Sequence, residues 1–97
     1  MKRKDMVKDI IRTEIRQADG YEYRYYLSVT NSAKVASYNL PLYSVRVEMI
    51  GNEKHSEHEL REIFADSGKA ITFFEEIVEN LVTPLDLHFI LEDKIMI

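Results

Sequence analysis

A two-residue alternation runs from Val7 to Gln17, breaks at Ala18-Asp19-Gly20 and resumes from Tyr21 to Val29, and this pattern constrains the fold more than any other feature of the chain. Alternating side chains point to opposite faces of a strand, and a turn cluster between two such runs closes a hairpin. A three-residue loop with Gly20 in the left-handed position pairs Gln17 with Tyr21, Arg16 with Glu22, Ile15 with Tyr23, Glu14 with Arg24 and Ile11 with Leu27. Opposite charges then meet, and so do apolar residues. A two-residue loop would set Ile15 against Arg24 and Arg16 against Tyr23, mixing the two faces. The three-residue loop is therefore expected.

The second hairpin follows the same logic. Tyr43, Val45, Val47 and Met49 alternate with Ser44, Arg46 and Glu48, and Gly51-Asn52 suits a tight turn with glycine first. That closure places Arg46 against Glu57 and Tyr43 against Leu60. Glu53 to Phe64 has two readings, because Ser56 and Glu59 match a capping box and Leu60, Ile63 and Phe64 have helical spacing. A helix from Glu57 to Ala65 is the alternative, but the turn before it demands a strand partner, so a strand is expected. Between the hairpins, residues 30–42 are undecided: Asn31-Ser32 is a turn signal, and Pro41 suits a strand entry or an edge.

From Lys69 to Asn80 the period becomes helical, with Ala70, Ile71, Phe73, Phe74, Ile77, Val78 and Leu81 in one stripe. Asp66 or Ser67 can cap its start, and Pro84 stops it near Asn80 or Leu81. Beyond the proline, Leu85, Leu87, Phe89 and Leu91 alternate with Asp86, His88 and Ile90 and read as a final strand. The expected fold is α+β: an antiparallel sheet of four or five strands, two hairpins plus a C-terminal strand, with one amphipathic helix on one face and the order β-β-β-β-α-β. Residues 1–97 read as a single domain, with 1–5 disordered.

Composition narrows the function. Cysteine is absent, so there is no disulfide framework, thiolate metal site or cysteine nucleophile, and a domain of 97 residues without such staples depends on its core or on a partner subunit. A homo-oligomer is expected. The net charge of −4 comes with basic residues dispersed along the chain, which is not the footprint of a phosphate-backbone binder. No apolar run approaches the roughly 20 residues of a membrane span, and the charged stretch Lys2 to Asp5 does not begin a signal peptide, so the expected location is the cytoplasm.

His55 and His58 are the candidate metal ligands, with His88 elsewhere and Glu57 and Glu59 alongside. On a strand, residues three apart face opposite ways, so these histidines cannot share an ion, and no metal or other cofactor is expected. His58 to Glu62 begins like a zincin helix but has glutamate where the second histidine must stand. Tyr21, Tyr23, Tyr25, Tyr26, Tyr38 and Tyr43 could stack bases on a sheet, yet Tyr21, Tyr23 and Tyr25 share a face with Leu27 and Val29 and read as packed under the helix. Tyr26 points the other way with Glu22, Arg24 and Ser28, so Tyr26 and Arg24 are interface candidates. Glu75, Glu76 and Glu79 form an acidic helix face that could dock a basic partner. Ser56 and Ser67 lack a nucleophile-elbow pattern, and Gly20, Gly51 and Gly68 are too scattered for a phosphate loop.

The stretch Ala70 to Ile95, AITFFEEIVENLVTPLDLHFILEDKI, resembles the end of a small uncharacterised family of Gram-positive bacterial proteins of about this length. Members end in an amphipathic helix, an Asn, a Val-Thr-Pro or Val-Ser-Pro step, an apolar strand and an acidic close, places filled here by Asn80, Val82, Thr83, Pro84, Leu87 and Asp93. The resemblance implies a bacterial cytoplasmic protein and favours the strand reading of Glu53 to Phe64, but it carries no catalytic residue. The leading expectation is a non-enzymatic protein-interaction or regulatory module, homodimeric. The alternatives are a small-ligand or peptide binder using the tyrosine-rich sheet, and then a single-stranded nucleic-acid binder.

Overall fold

The computed structural model describes residues 6–32 and 41–95. Both hairpins form, and together they make one antiparallel sheet of four strands in sequence order: β1 Met6–Ala18, β2 Tyr21–Ser32, β3 Pro41–Gly51 and β4 Lys54–Phe64. The expected disorder of residues 1–5 and the centre of the undecided stretch, residues 33–40 with Tyr38, lie outside the described residues. The two ends of that stretch are strand.

The first turn differs from expectation by one residue. Ala18 pairs with Tyr21, leaving a two-residue loop in which Asp19 (φ 56°) and Gly20 (φ 84°) are both left-handed. That is the hairpin turn whose twist matches the flanking strands, and Asp-Gly is a preferred sequence for it. Gln17 then opposes Glu22, Arg16 opposes Tyr23, Ile15 opposes Arg24, Glu14 opposes Tyr25 and Arg12 opposes Leu27. A slip of one residue exchanges the faces of a whole strand, so Arg12, Glu14 and Arg16 turn toward the side that carries the helices, and Ile15 turns away from it. A bulge at Ile11 shifts the register, after which Ile10 opposes Ser28.

The second turn slips by two residues. Gly51 pairs with Lys54, and the loop is Asn52 (φ 49°) and Glu53 (φ 61°). Arg46 therefore opposes Glu59 instead of Glu57, and Tyr43 opposes Phe64 instead of Leu60. An even slip leaves every face as expected. Gly51 is needed for a close approach and not for the turn, because a Cβ there would stand 2.6 Å from the Gly20 carbonyl oxygen of the neighbouring hairpin. Near its end β4 bulges opposite Ser44, where Glu62 adopts φ 51° and donates its N–H to Ser44 Oγ at 2.8 Å.

Helix α1 spans Ser67–Glu79, with Asp66 accepting from the Gly68 N–H at 2.8 Å as its cap. Its stripe of Ala70, Phe73, Phe74, Ile77 and Val78 is buried against Tyr23, Tyr25 and Leu27 of β2 and Val45 and Val47 of β3. Burying each of the larger of these side chains contributes about 1.5–3 kcal/mol. The helix closes through left-handed Leu81 (φ 51°), with Leu81 N–H donating to Val78 O and Val82 N–H to Ile77 O. Tyr25 Oη donates to Val82 O at 3.1 Å, tying that closure to the sheet. Burial, with the neighbouring Tyr23 adding to it, pushes the Tyr25 phenol up to about 12.

The expected C-terminal strand is not formed. Pro84 opens a 3₁₀ turn, Pro84–Asp86, where its missing N–H costs nothing, and α2 follows as Leu87–Ile95. Leu87 is fully buried, with Ile90 and Leu91 packed beside it at helical spacing, while Leu85 is 81% and Phe89 56% exposed. A strand would have put Leu85, Leu87, Phe89 and Leu91 on one face; the helical period selects Leu87, Ile90 and Leu91 instead. The order is thus β-β-β-β-α-α, with both helices on one side of a four-stranded sheet.

Candidate functional site

The helices do not cover the sheet evenly. α1 packs over β2, β3 and β4, while the 3₁₀ turn packs on β3 and β4 and α2 on β4. β1 lies at the margin of the helical layer, where Arg12 meets α1. Between β1 and α1 lies a groove of about 570 Å³, lined by Arg12, Glu14, Arg16, Glu75, Glu79 and Leu81 among others. Arg12 sits with its guanidinium 5.2 Å from the centre of the Phe74 ring and reaches Glu75 Oε2 at 3.4 Å and Glu14 Oε2 at 3.3 Å. Arg16 reaches Glu14 Oε1 at 3.1 Å. Hydrogen bonds from Arg12 and then Arg16 hold the Glu14 carboxyl below its ordinary value. None of these three residues was singled out as a site, because the expected register placed them on the opposite face.

The acidic helix face divides. Glu75 and Glu79 line the groove beside β1, whereas Glu76 lines a second groove of about 760 Å³ near Phe64, Asp66, Thr72 and Phe73. The three glutamates do not make one patch.

On the sheet face opposite the helices, Tyr26 and Arg24 stand where the sequence placed them, inside a polar network. Tyr26 Oη donates to Glu48 Oε1 at 2.9 Å, and Arg46 lies 5.3 Å from the Tyr26 ring centre. Arg46 donates to Glu48 Oε2 at 2.8 Å and, through Nε, to Glu57 Oε1 at 3.1 Å. The expected Arg46–Glu57 contact thus forms on the diagonal even though the direct partner is Glu59. Burial, followed by the bond to Glu48, raises the Tyr26 phenol, and Arg46 holds the Glu57 carboxyl below its ordinary value. Arg24 bonds Glu22, which raises its guanidinium further. Glu48 is 8% exposed, and its charge is met by a phenol and a guanidinium.

His55 and His58 point to opposite faces, as the strand period requires. His55 Nε2 stands 3.4 Å from Glu48 Oε2, while His58, on the helix side opposite Val47, meets the His88 ring of α2 at 6.3 Å. Among the described residues, Glu48, His55 and Glu57 bring ligand atoms within 4.8 Å of one another. Arg46 already bonds both carboxylates there and supplies the charge that a cation would. Tyr23 and Tyr25 are buried and stack on each other, so neither presents a free ring for a base.

The large apolar side chains left exposed are also informative. Among the described residues they are Ile10, Ile11 and Ile15 on β1, and Leu81, Leu85 and Phe89 along the C-terminal segment. No helix among the described residues is long and apolar enough to cross a membrane.

A small four-stranded sheet carrying two helices on one side and ion-paired clusters on its surface defines an α+β class, not a chemistry. The chain belongs to DUF6514, a family of unknown function whose model matches residues 4–96, so the kinship seen over Ala70 to Ile95 extends along nearly the whole chain. Neither a curated protein nor a solved structure matches it.

Proposed function

We propose that this chain is a non-enzymatic protein-interaction module of the bacterial cytoplasm that works as a homodimer, and that its docking surface is the outer edge of β1. The observation that carries this reading is the placement of Ile10, Ile11 and Ile15, which are 59%, 45% and 50% exposed on a strand at the edge of the sheet. An edge strand offers unpaired N–H and C=O groups, and apolar side chains beside them favour pairing with another strand. Light scattering across protein concentrations from about 1 µM to about 1 mM tests it. Mass rising from monomer to dimer is expected; a monomer at every concentration contradicts the proposal.

A second reading, a small-ligand or peptide binder, is favoured by the groove between β1 and α1. Tyr23 and Tyr25 of the tyrosine-rich strand are core residues, so this groove is the better-supported pocket for that reading. A ligand suited to the groove carries both charges, a cation for Glu75 and Glu79 and an anion for Arg16. Thermal shift against zwitterionic metabolites and short peptides checks it, since a ligand at 100 times its Kd adds about 2.7 kcal/mol of apparent stability. A flat screen contradicts it.

A further inference from the structure

Resting on the homodimer reading, we infer that β1 pairs antiparallel with β1 of a second copy, with Ile15 on the twofold axis. In an antiparallel ladder, hydrogen-bonded and non-hydrogen-bonded pairs alternate, and the pair closing a two-residue turn is hydrogen-bonded. Ala18–Tyr21 closes the first hairpin, so Gln17, Ile15 and Thr13 send their N–H and C=O groups outward. Those three residues are the ones able to form a new ladder.

A twofold axis allows few registers, and the charges choose among them. Centring the pair on Glu14 sets Glu14 against the partner's Glu14 and Arg12 against the partner's Arg16, a like-charge arrangement on one face. Centring on Thr13 draws Ile11 into the ladder, where the strand bulges. Centring on Ile15 uses the whole regular run from Arg12 to Ala18 and nothing else. Glu14 then opposes the partner's Arg16, twice by symmetry; Thr13 opposes the partner's Gln17; Arg12 opposes the partner's Ala18; and the two Ile15 side chains meet on the face opposite the helices. Every opposed pair in this register is compatible.

The result is a continuous eight-stranded sheet, an isologous contact of the kind that closes after two copies. An edge-only contact lies at the small end of specific interfaces, below about 1,200 Å² in total. The dimer therefore dissociates on dilution.

Because the chain has no cysteine, single cysteines report the register directly. In the inferred pairing the two Ile15 Cα atoms stand about 5.5 Å apart, inside the roughly 4.4–6.8 Å span of disulfides. The two Thr13 positions are four residues out of step, about 13 Å apart. Under mild oxidation Ile15→Cys is expected to cross-link at least about tenfold faster than Thr13→Cys. In a second variant, Ile15→Lys keeps the wild-type circular dichroism and loses association, raising the dimer Kd at least about tenfold. Faster cross-linking at Thr13 overturns the register. Equal rates at the two cysteines, as a pairing centred on Glu14 gives, overturn the register as well, whereas wild-type dimers by light scattering with association unchanged in Ile15→Lys overturn the edge pairing and leave a homodimeric module without it. A wild-type monomer at all concentrations overturns both.

Discussion

The two edges of this sheet are treated in opposite ways. β4 is dense with charge at Lys54, His55, Glu57, Glu59 and Arg61, bulges opposite Ser44 where Glu62 is tied back, and has α2 packed against it through His88 on His58. Charge, bulges and a covering helix are the usual means by which proteins keep an edge strand from pairing. β1 also carries charge, at Arg12, Glu14 and Arg16, and a bulge at Ile11, but beyond the bulge Arg12 to Ala18 run without interruption, with Ile15 half exposed and pointing away from the helices. One edge is blunted by several devices at once, and the other is left able to pair. A sheet shaped for solubility alone would be blunted at both edges.

The largest expected effect comes from removing the cover of β4. Leu87 is the fully buried anchor of α2, and Leu87→Ala costs about 2–5 kcal/mol by deleting packed methyl groups. Chemical denaturation reads that loss, and light scattering is expected to show assemblies larger than dimers as the second edge becomes available. Tyr25→Phe is a smaller change to the same cover, since it removes the hydrogen bond to Val82 O and costs about 1–2 kcal/mol. The sign of its pH effect is fixed by the raised phenol. With a folded value of about 12 against an ordinary 10, the stabilisation is complete below pH 10 and is lost as pH rises from 10 to 12. Melts of Tyr25→Phe across that window are expected to lack this part of the alkaline loss.

Discharging β4 breaks the comparison without disturbing the core. Glu57→Ile removes an outward-facing charge from that strand and is expected to produce species beyond the dimer at concentrations where the wild type shows none. The acid limb gives the smallest effect. Arg46 holds the Glu57 carboxyl below its ordinary 4.5, so the contribution is present above pH 4.5 and is lost as pH falls through the lowered folded value. Glu57→Gln is expected to flatten that part of the acid-side stability curve.

Much of this fold is legible in the sequence, and the misses have identifiable causes. Four strands, the α1 stripe and its Asp66 cap follow from periodicity. The faces of Tyr23, Tyr25 and Tyr26 follow too, and so does the divergence of His55 and His58. In the first hairpin, matching charge to charge across the strands points to a three-residue loop, whereas the two-residue Asp19-Gly20 turn forms and puts Arg12, Glu14 and Arg16 on the helix side. They sit at the margin of α1, where their charges stay half exposed and pair with one another and with Glu75. In the second hairpin the turn was also misplaced, but by an even number of residues, which moves partners without moving faces. Around Pro84 two apolar patterns overlap: Leu87 and Leu91 belong both to an alternation and to a helical stripe, and the preference of proline for a first helical position settles it. The Ile15 edge is not legible in the expected register, which sets Ile15 against Tyr23 on the core face instead of against Arg24.

In the proposed dimer β1, and not β4, is the edge that pairs. Amide hydrogen exchange measured residue by residue at about 10 µM and about 1 mM tests it most directly, because outward amides exchange freely until a partner strand covers them. Protection at Thr13, Ile15 and Gln17 is expected to rise with concentration, while the outward amides of β4 at His55, Glu57 and Glu59 stay unchanged. Equal exchange at the two edges across that range, or protection rising on β4 instead, would contradict it.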